Sequence, residues 1–135
     1  IRDRAMALAS ASTWMRLFFV AAAVAFLVMA SLSGAMVQPR TPLGWELEHF
    51  LAYFAVTVIV SLALSRPWAV GGALAVLGGV LEVLQFFTPD RVPNIIAALC
   101  SAAGALAGAL LMGLFMRGRN RRLLGSPDGS SPNQS

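Results

Sequence analysis

Charge is scarce in this sequence. Asp, Glu, Lys and Arg make up 12% of its 135 residues, against about 25% in an ordinary soluble domain. That is too little to cover a water-facing surface, and the charges lie in clusters between long apolar runs. A water-soluble globular domain is therefore excluded. Lysine is absent, and all ten basic residues are Arg. Cysteine occurs once, as Cys100 inside an apolar run. No internal disulfide can form, and no CxxC or Cys/His spacing for a metal exists. Cys100 reads as a small packing residue. Histidine and tyrosine also occur once each, as His49 and Tyr53. No Ser-His-Asp set, phosphate-cradling Gly loop or metal-ligand cluster is found. No catalytic residue, metal or cofactor is expected.

What is present is overwhelmingly apolar: 58% of the residues are hydrophobic, and the mean hydropathy is +0.74. Crossing the hydrocarbon of a bilayer takes about 20 helical residues. Four segments qualify or nearly do, at about 17–37, 48–65, 68–87 and 95–116. Backbone groups in lipid must bond internally, so these are read as helices. Pro39, Pro42, Pro67, Pro89 and Pro93 fall between them, where they break helices. The expected fold is all-α, an integral membrane four-helix bundle. Residues 1–16 precede the helical domain of 17–116, and 117–135 form a basic and then Gly/Ser/Pro-rich tail.

The arginines give the orientation. With the N-terminus in the cytoplasm, Arg2, Arg4, Arg16, Arg66, Arg117, Arg119, Arg121 and Arg122 lie inside, and only Arg40 and Arg91 outside. That bias predicts N-in/C-in. The net charge of +4 and pI near 11.1 reflect this flanking pattern, so nucleic acid is not an expected partner. Trp14, Trp45 and Trp68 sit at segment ends, as interfacial anchors do. Arg16, the following apolar run and the small residues 31–35 also resemble a secretory signal. The apolar stretch continues to Val37, longer than the usual signal core of about 7–15 residues. An uncleaved first helix is expected.

Small residues recur at four-residue spacing. Gly71, Ala75 and Gly79 mark one stripe of the third helix. Gly104 and Gly108 mark the fourth, beside a stripe of Ala97, Ser101, Ala105 and Ala109. Such stripes let helix backbones approach closely in lipid. They serve either packing within this bundle or docking to another transmembrane chain.

Polar residues inside spans are costly, and therefore informative. Glu46, Glu48, His49 and Tyr53 gather at the start of the second helix. Glu82 and Gln85 lie near the end of the third, followed by Asp90 and Arg91. Both groups fall at the outer end. Glu82 lies about 7–8 Å below the end of its helix at 1.5 Å per residue. That depth calls for a partner, for which His49 and Arg91 are the available cations. His49, Tyr53, Glu82, Gln85 and Arg91 are the candidate site. They form a polar clasp between helices, an outward-facing pocket for a lipid or envelope headgroup, or, least favoured, an acid–base site.

Two stretches resemble the signatures of VanZ-like membrane proteins. Glu48-His49-Phe50-Leu51-Ala52-Tyr53-Phe54 is similar to that family's His-Phe-x-x-Tyr. Glu82-Val83-Leu84-Gln85-Phe86-Phe87-Thr88-Pro89-Asp90-Arg91 is similar to its Glu-x-x-Gln…Pro-x-Arg. Gly104 and Gly108 fall where the family's last helix carries glycines. The resemblance covers about residues 45–112. It departs at Trp45 and Glu46, where the family often has Asp-Lys. It departs again at Ala97 and Ser101, where the family often has Asp and Asn. Ser101 can keep one hydrogen bond, whereas Ala97 cannot.

The resemblance implies an envelope protein of a bacterial cytoplasmic (inner) membrane, multi-pass and in contact with membrane lipid. The founding member of the family is associated with low-level glycopeptide resistance. The alternative is a non-catalytic accessory subunit packed into a larger intramembrane complex, for example a respiratory or photosynthetic one.

Overall fold

The computed structural model describes residues 2–32, 42, 44–87 and 92–124. Among them the fold is all-helical: α1 (Arg2–Leu32), α2 (Trp45–Leu64), α3 (Pro67–Leu84) and α4 (Ile95–Leu124). A single 3-10 turn, Gln85–Phe87, extends α3. Each helix contains a stretch long and apolar enough to cross a membrane: Ser12–Leu32, Trp45–Leu64, Pro67–Phe87 and Ile95–Leu123. The protein is a multi-pass membrane protein by that criterion. The helix ends differ from expectation in places. α1 begins well before Leu17, and α4 runs past Met116 through all four arginines. Arginine is a good helix former, so a cluster of charge ends the apolar span without ending the helix. Residues 33–37, 40, 88–91 and 125–135 lie outside the described residues.

The helix ends have local causes. Gly44, at φ 85°, turns the chain into α2 from the left-handed region, which glycine adopts without steric cost. Glu46 and Glu48 in the first turn complement the helix dipole. Ser65 ends α2 in the left-handed conformation, its N–H bonding Ser61 O at 2.8 Å. Pro67 then opens α3 at a position that needs no N–H. Ser65 and Arg66 are thus the whole connection between two spans. Asn94 caps α4: its Oδ1 accepts the Ile96 N–H at 2.9 Å.

α4 is the hub. It runs beside α2 in the same direction and against α3 in the opposite one, and α1 leans mainly on α2. Its two small-residue stripes face different neighbours. Gly104 and Gly108 face α2: a Cβ at 104 would strike the Phe50 carbonyl, and one at 108 would lie 2.9 Å from the Phe54 oxygen. Ala105 and Ala109 face α3, where a Cβ on Gly71 would lie 2.5 Å from Ala109 Cβ. Ala97, Ser101, Ala105 and Ala109 are all buried. These stripes therefore pack this bundle. Ala75 is packed against the core cluster.

Gly79 differs from expectation. A Cβ there would touch nothing within 4 Å, whereas at Gly78 it would meet Ser101 at 3.0 Å and the Tyr53 ring at 3.2 Å. Glycines 71 and 78 are seven residues apart and share the inward face. Gly79 is rotated a further 100° or so towards the outside.

The core joins Leu27 of α1, Tyr53, Val56 and Val60 of α2, Val70 and Leu74 of α3, and Ala105 of α4. Phe18, Phe26, Val76, Leu99 and Leu114 point outward and are mostly exposed. In water so much exposed apolar surface would drive aggregation; in a bilayer it faces lipid. Cys100 is half-buried and unpaired in any disulfide.

Two buried hydroxyls break the apolar interior. Thr57 Oγ1 and Ser61 Oγ, on fully buried residues, have no hydrogen-bond partner. An unsatisfied buried hydroxyl costs about 1–3 kcal/mol. Thr57→Val, which exchanges the hydroxyl for a methyl of similar size, should therefore stabilise the bundle by about 1 kcal/mol. A raised unfolding midpoint in detergent is the expected result; a lowered one would mean that the hydroxyl is bonded.

Candidate functional site

One polar node lies at the end of the bundle where α2 begins, α3 ends and α4 begins. At its centre is Tyr53, the only tyrosine, with just 3% of its surface exposed. Its hydroxyl shares hydrogen bonds with Ser31 of α1 and Ser101 of α4, and lies in the field of the Glu82 carboxylate of α3. Each of the four helices thus contributes one polar side chain. Gly78 makes this possible. Its missing side chain leaves room for the Tyr53 ring to lie across α3, one turn from Glu82 on the same face.

Glu82 is buried and bonded in an unexpected way. Its Oε1 accepts the backbone N–H of Asn94 at 2.5 Å. That N–H belongs to the capping residue of α4 and has no partner inside the helix. The start of a helix carries partial positive charge, so a carboxylate there is stabilised without a cationic side chain. Among the described residues the partner of Glu82 is thus a backbone N–H and not His49, while the expected pairing with Arg91 falls outside them. The sequence carried the clue: Asn94 follows a proline and precedes an apolar run, the signature of a helix cap.

His49 points elsewhere. Its Nδ1 sits 2.8 Å from the Trp45 carbonyl, and its ring meets the Trp45 indole edge-on, centroids 6.1 Å apart. Donating from Nδ1 to that carbonyl leaves Nε2 as the acceptor of the neutral ring. The histidine belongs to the rim formed by the first turn of α2, not to the node. Gln85 is buried one turn beyond Glu82. Arg91 lies outside the described residues. Of the five candidate residues, the node brings together Tyr53 and Glu82, and adds Ser31 and Ser101. Ser101 does keep a hydrogen bond, whereas Ala97 is a buried apolar contact.

Among the described residues no group of His, Cys, Asp and Glu is placed to hold a metal. The node has hydroxyls in the field of a carboxylate, but Tyr53, Glu82, Gln85 and Ser101 are all buried. An acid–base site for lipid-linked substrates calls for a headgroup-sized opening beside those groups, so their burial counts against that reading.

At the other end of the bundle, Trp68 packs over Gly113. The antiparallel run of α3 and α4 therefore brings Arg66 to the same end as Arg117, Arg119, Arg121 and Arg122. No family model matches the chain, and no curated protein or solved structure matches it.

Proposed function

We propose that the chain is a VanZ-like, non-catalytic membrane protein of the bacterial envelope. Both termini are cytoplasmic, and the buried polar node lies under its outer face. The gathering of Arg66 and the four α4 arginines at one end supports this orientation, because basic residues collect on the cytoplasmic side. The observation that carries the functional reading is the convergence of Ser31, Tyr53, Glu82 and Ser101 from four helices. A polar cluster at membrane depth is costly to maintain and marks a functional site by default. Its chemistry, two kinds of hydroxyl and a carboxylate, suits a hydrogen-bonding group of a lipid or cell-wall headgroup in the outer leaflet; because Tyr53, Glu82 and Ser101 are buried, such a group reaches them only when the outer ends of the helices part.

Glu82→Gln and Tyr53→Phe test this. Glu82→Gln retains an acceptor for the Asn94 N–H, and Tyr53→Phe retains the ring against Gly78. Both variants should accumulate in the membrane like the parent protein, yet lose its effect on glycopeptide tolerance or envelope stress. Normal accumulation with an unchanged phenotype would reduce the node to a clasp between helices.

The second reading, an accessory subunit, is favoured by one observation. Gly72 and Gly79 on α3 face open space, with nothing within 4 Å of a Cβ at either. Small residues at a lipid-facing surface offer a neighbouring helix a close approach. Gly71 and Gly104 are not the places to test this, since both face inward. The double substitution Gly72→Leu/Gly79→Leu should release the protein from any complex with which it is extracted in mild detergent. Retained stoichiometric co-purification would count against docking through this face.

A further inference from the structure

The four helices around the node are not equally fixed. α4 is held to α2 and α3 by close backbone approach: a Cβ on Gly108 would lie 2.9 Å from the Phe54 oxygen, and one on Gly71 would lie 2.5 Å from Ala109 Cβ. α4 cannot part from either neighbour without forfeiting packing along the whole seam. α1 contains no glycine, and a smaller share of its apolar span is buried than in any other helix. Its inward face is Val20, Val24, Leu27 and Ser31, at helical spacing. Leu27 is the one buried side chain among those described on α1, and it shares a core cluster with Tyr53, against which Val20 and Val24 pack only in part. The other tie is the hydrogen bond between Ser31 and Tyr53. The outward face, with Phe18, Phe26 and Met29, is mostly exposed and meets lipid.

We propose that α1 is the movable wall of the node, and that its outward swing admits a bilayer lipid from the side. An ester carbonyl of the lipid then takes the place of Ser31 against the Tyr53 hydroxyl. The proposal rests on the lipid-binding reading of the node, and names the route and the group bound. Depth selects that group. α2 has 20 residues, about the thickness of the hydrocarbon, so its first turn lies at the boundary. Tyr53 is eight residues further on, about 12 Å at 1.5 Å per residue. Long helical side chains lean back towards the N-terminus, which lifts the hydroxyl to the level of the upper acyl chain and ester. Phosphates lie above it. The swing opens the Tyr53–Ser31 bond and leaves a phenolic O–H in need of an acceptor, which an ester carbonyl supplies. Ser101 stays in place on α4, and no proton changes hands. Because the outward face of α1 meets lipid, the opening it leaves is filled by acyl chains rather than water.

Tyr53 is its own reporter, being the only tyrosine. The full chain with Trp14, Trp45 and Trp68 changed to Phe keeps it as the one strongly emitting side chain. The protein is reconstituted in phosphatidylcholine vesicles containing phosphatidylcholine brominated near the top of the acyl chain, and iodide is added from the water side in a parallel series. Leu27→Ala removes the main apolar tie of α1 and should raise the opening equilibrium at least about tenfold. From a minor state of a few per cent, that should strengthen quenching by the brominated lipid about twofold or more, with iodide still without effect. Leu74→Ala is the matched control: an equal deletion from the same core cluster, but on α3. It should leave the quenching near the parent value. Ser31→Ala, which removes only a hydroxyl, should act in the same direction as Leu27→Ala by a smaller amount, so the test survives poor folding of Leu27→Ala.

Unchanged quenching in both Leu27→Ala and Ser31→Ala would overturn the movable wall. So would an equal rise in Leu74→Ala, which would mean general loosening of the bundle. Stronger quenching by iodide would show that the node opens to water and would overturn the lateral route. The carbonyl has its own test. An ether-linked brominated lipid lacks that acceptor and should quench the Leu27→Ala protein about threefold less well, the worth of one hydrogen bond; equal quenching by the two lipids would overturn the assignment of the bound group. None of these readings uses an envelope phenotype. A phenotype unchanged in Tyr53→Phe would remove the proposed role and leave the route standing, whereas a lost phenotype with α1 closed throughout would overturn the route alone.

Discussion

Gly104→Ala should be the most damaging single-methyl change in the molecule. Its Cβ would be placed on the Phe50 carbonyl of α2, and neither helix backbone can retreat without opening the other contacts along α4. Overpacking a tight interior costs about 1–3 kcal/mol, occasionally more; with backbone on both sides, the upper end of about 3 kcal/mol is expected. The variant should accumulate poorly and unfold at lower temperature or denaturant in detergent. Gly79→Ala is the matched control. Its Cβ enters open space, and alanine is the better helix former by about 1 kcal/mol, so stability should hold or rise. Equal unfolding midpoints for Gly104→Ala and the parent protein would refute the close approach of α2 and α4.

Glu82→Ala should have the second largest effect. It removes the acceptor of the Asn94 N–H and the anionic neighbour of Tyr53 together. Losing a hydrogen bond to a charged group and leaving a shielded N–H unpaired costs about 2–3 kcal/mol. The loss should be felt first at the start of α4. Amides of residues 94–98 should exchange with solvent deuterium faster in this variant, while those near Ala105 and Ala109 remain protected. Glu82→Gln retains an oxygen at the same position and should restore most of the protection. Unaltered exchange in Glu82→Ala would show that α4 does not depend on this carboxylate.

Much of this architecture was legible in the sequence, because a bilayer imposes few solutions. Long apolar runs must be helices there, and the four spans emerged with ends displaced by a few residues. The misplaced ends are instructive. Arg117 to Arg122 close an apolar run, but they are good helix formers, so hydropathy saw a boundary that the backbone ignores. The stripes on α4 were readable at four-residue spacing, since small residues every turn leave little choice of packing face. Spacing alone did not reveal whether Gly78 or Gly79 faces inward. Adjacent glycines look alike in sequence, and only the Tyr53 ring across α3 decides between them. The node was half legible for a similar reason. Side chains that a membrane ordinarily rejects announced Glu82 and Tyr53. Among the described residues the partner of Glu82 is a main-chain N–H, which every residue except proline carries and no motif displays. Ser31 was visible only as a small residue near the end of a run, because its role depends on how α1 leans on α2.

The two-residue link between α2 and α3 also bears on how the protein is made. An α2 of 20 residues followed by only Ser65 and Arg66 leaves no length of chain for α3 to do anything but turn straight back. The two form a helical hairpin, with Arg66 at its tip. Biogenesis then involves a single decision for this half of the chain, namely which side retains the tip. The first turn of α2 and the last turn of α3 necessarily emerge together on the opposite side. Glu82 and Tyr53 therefore belong to the same leaflet whichever way the hairpin is set, and α4 completes the node through Ser101.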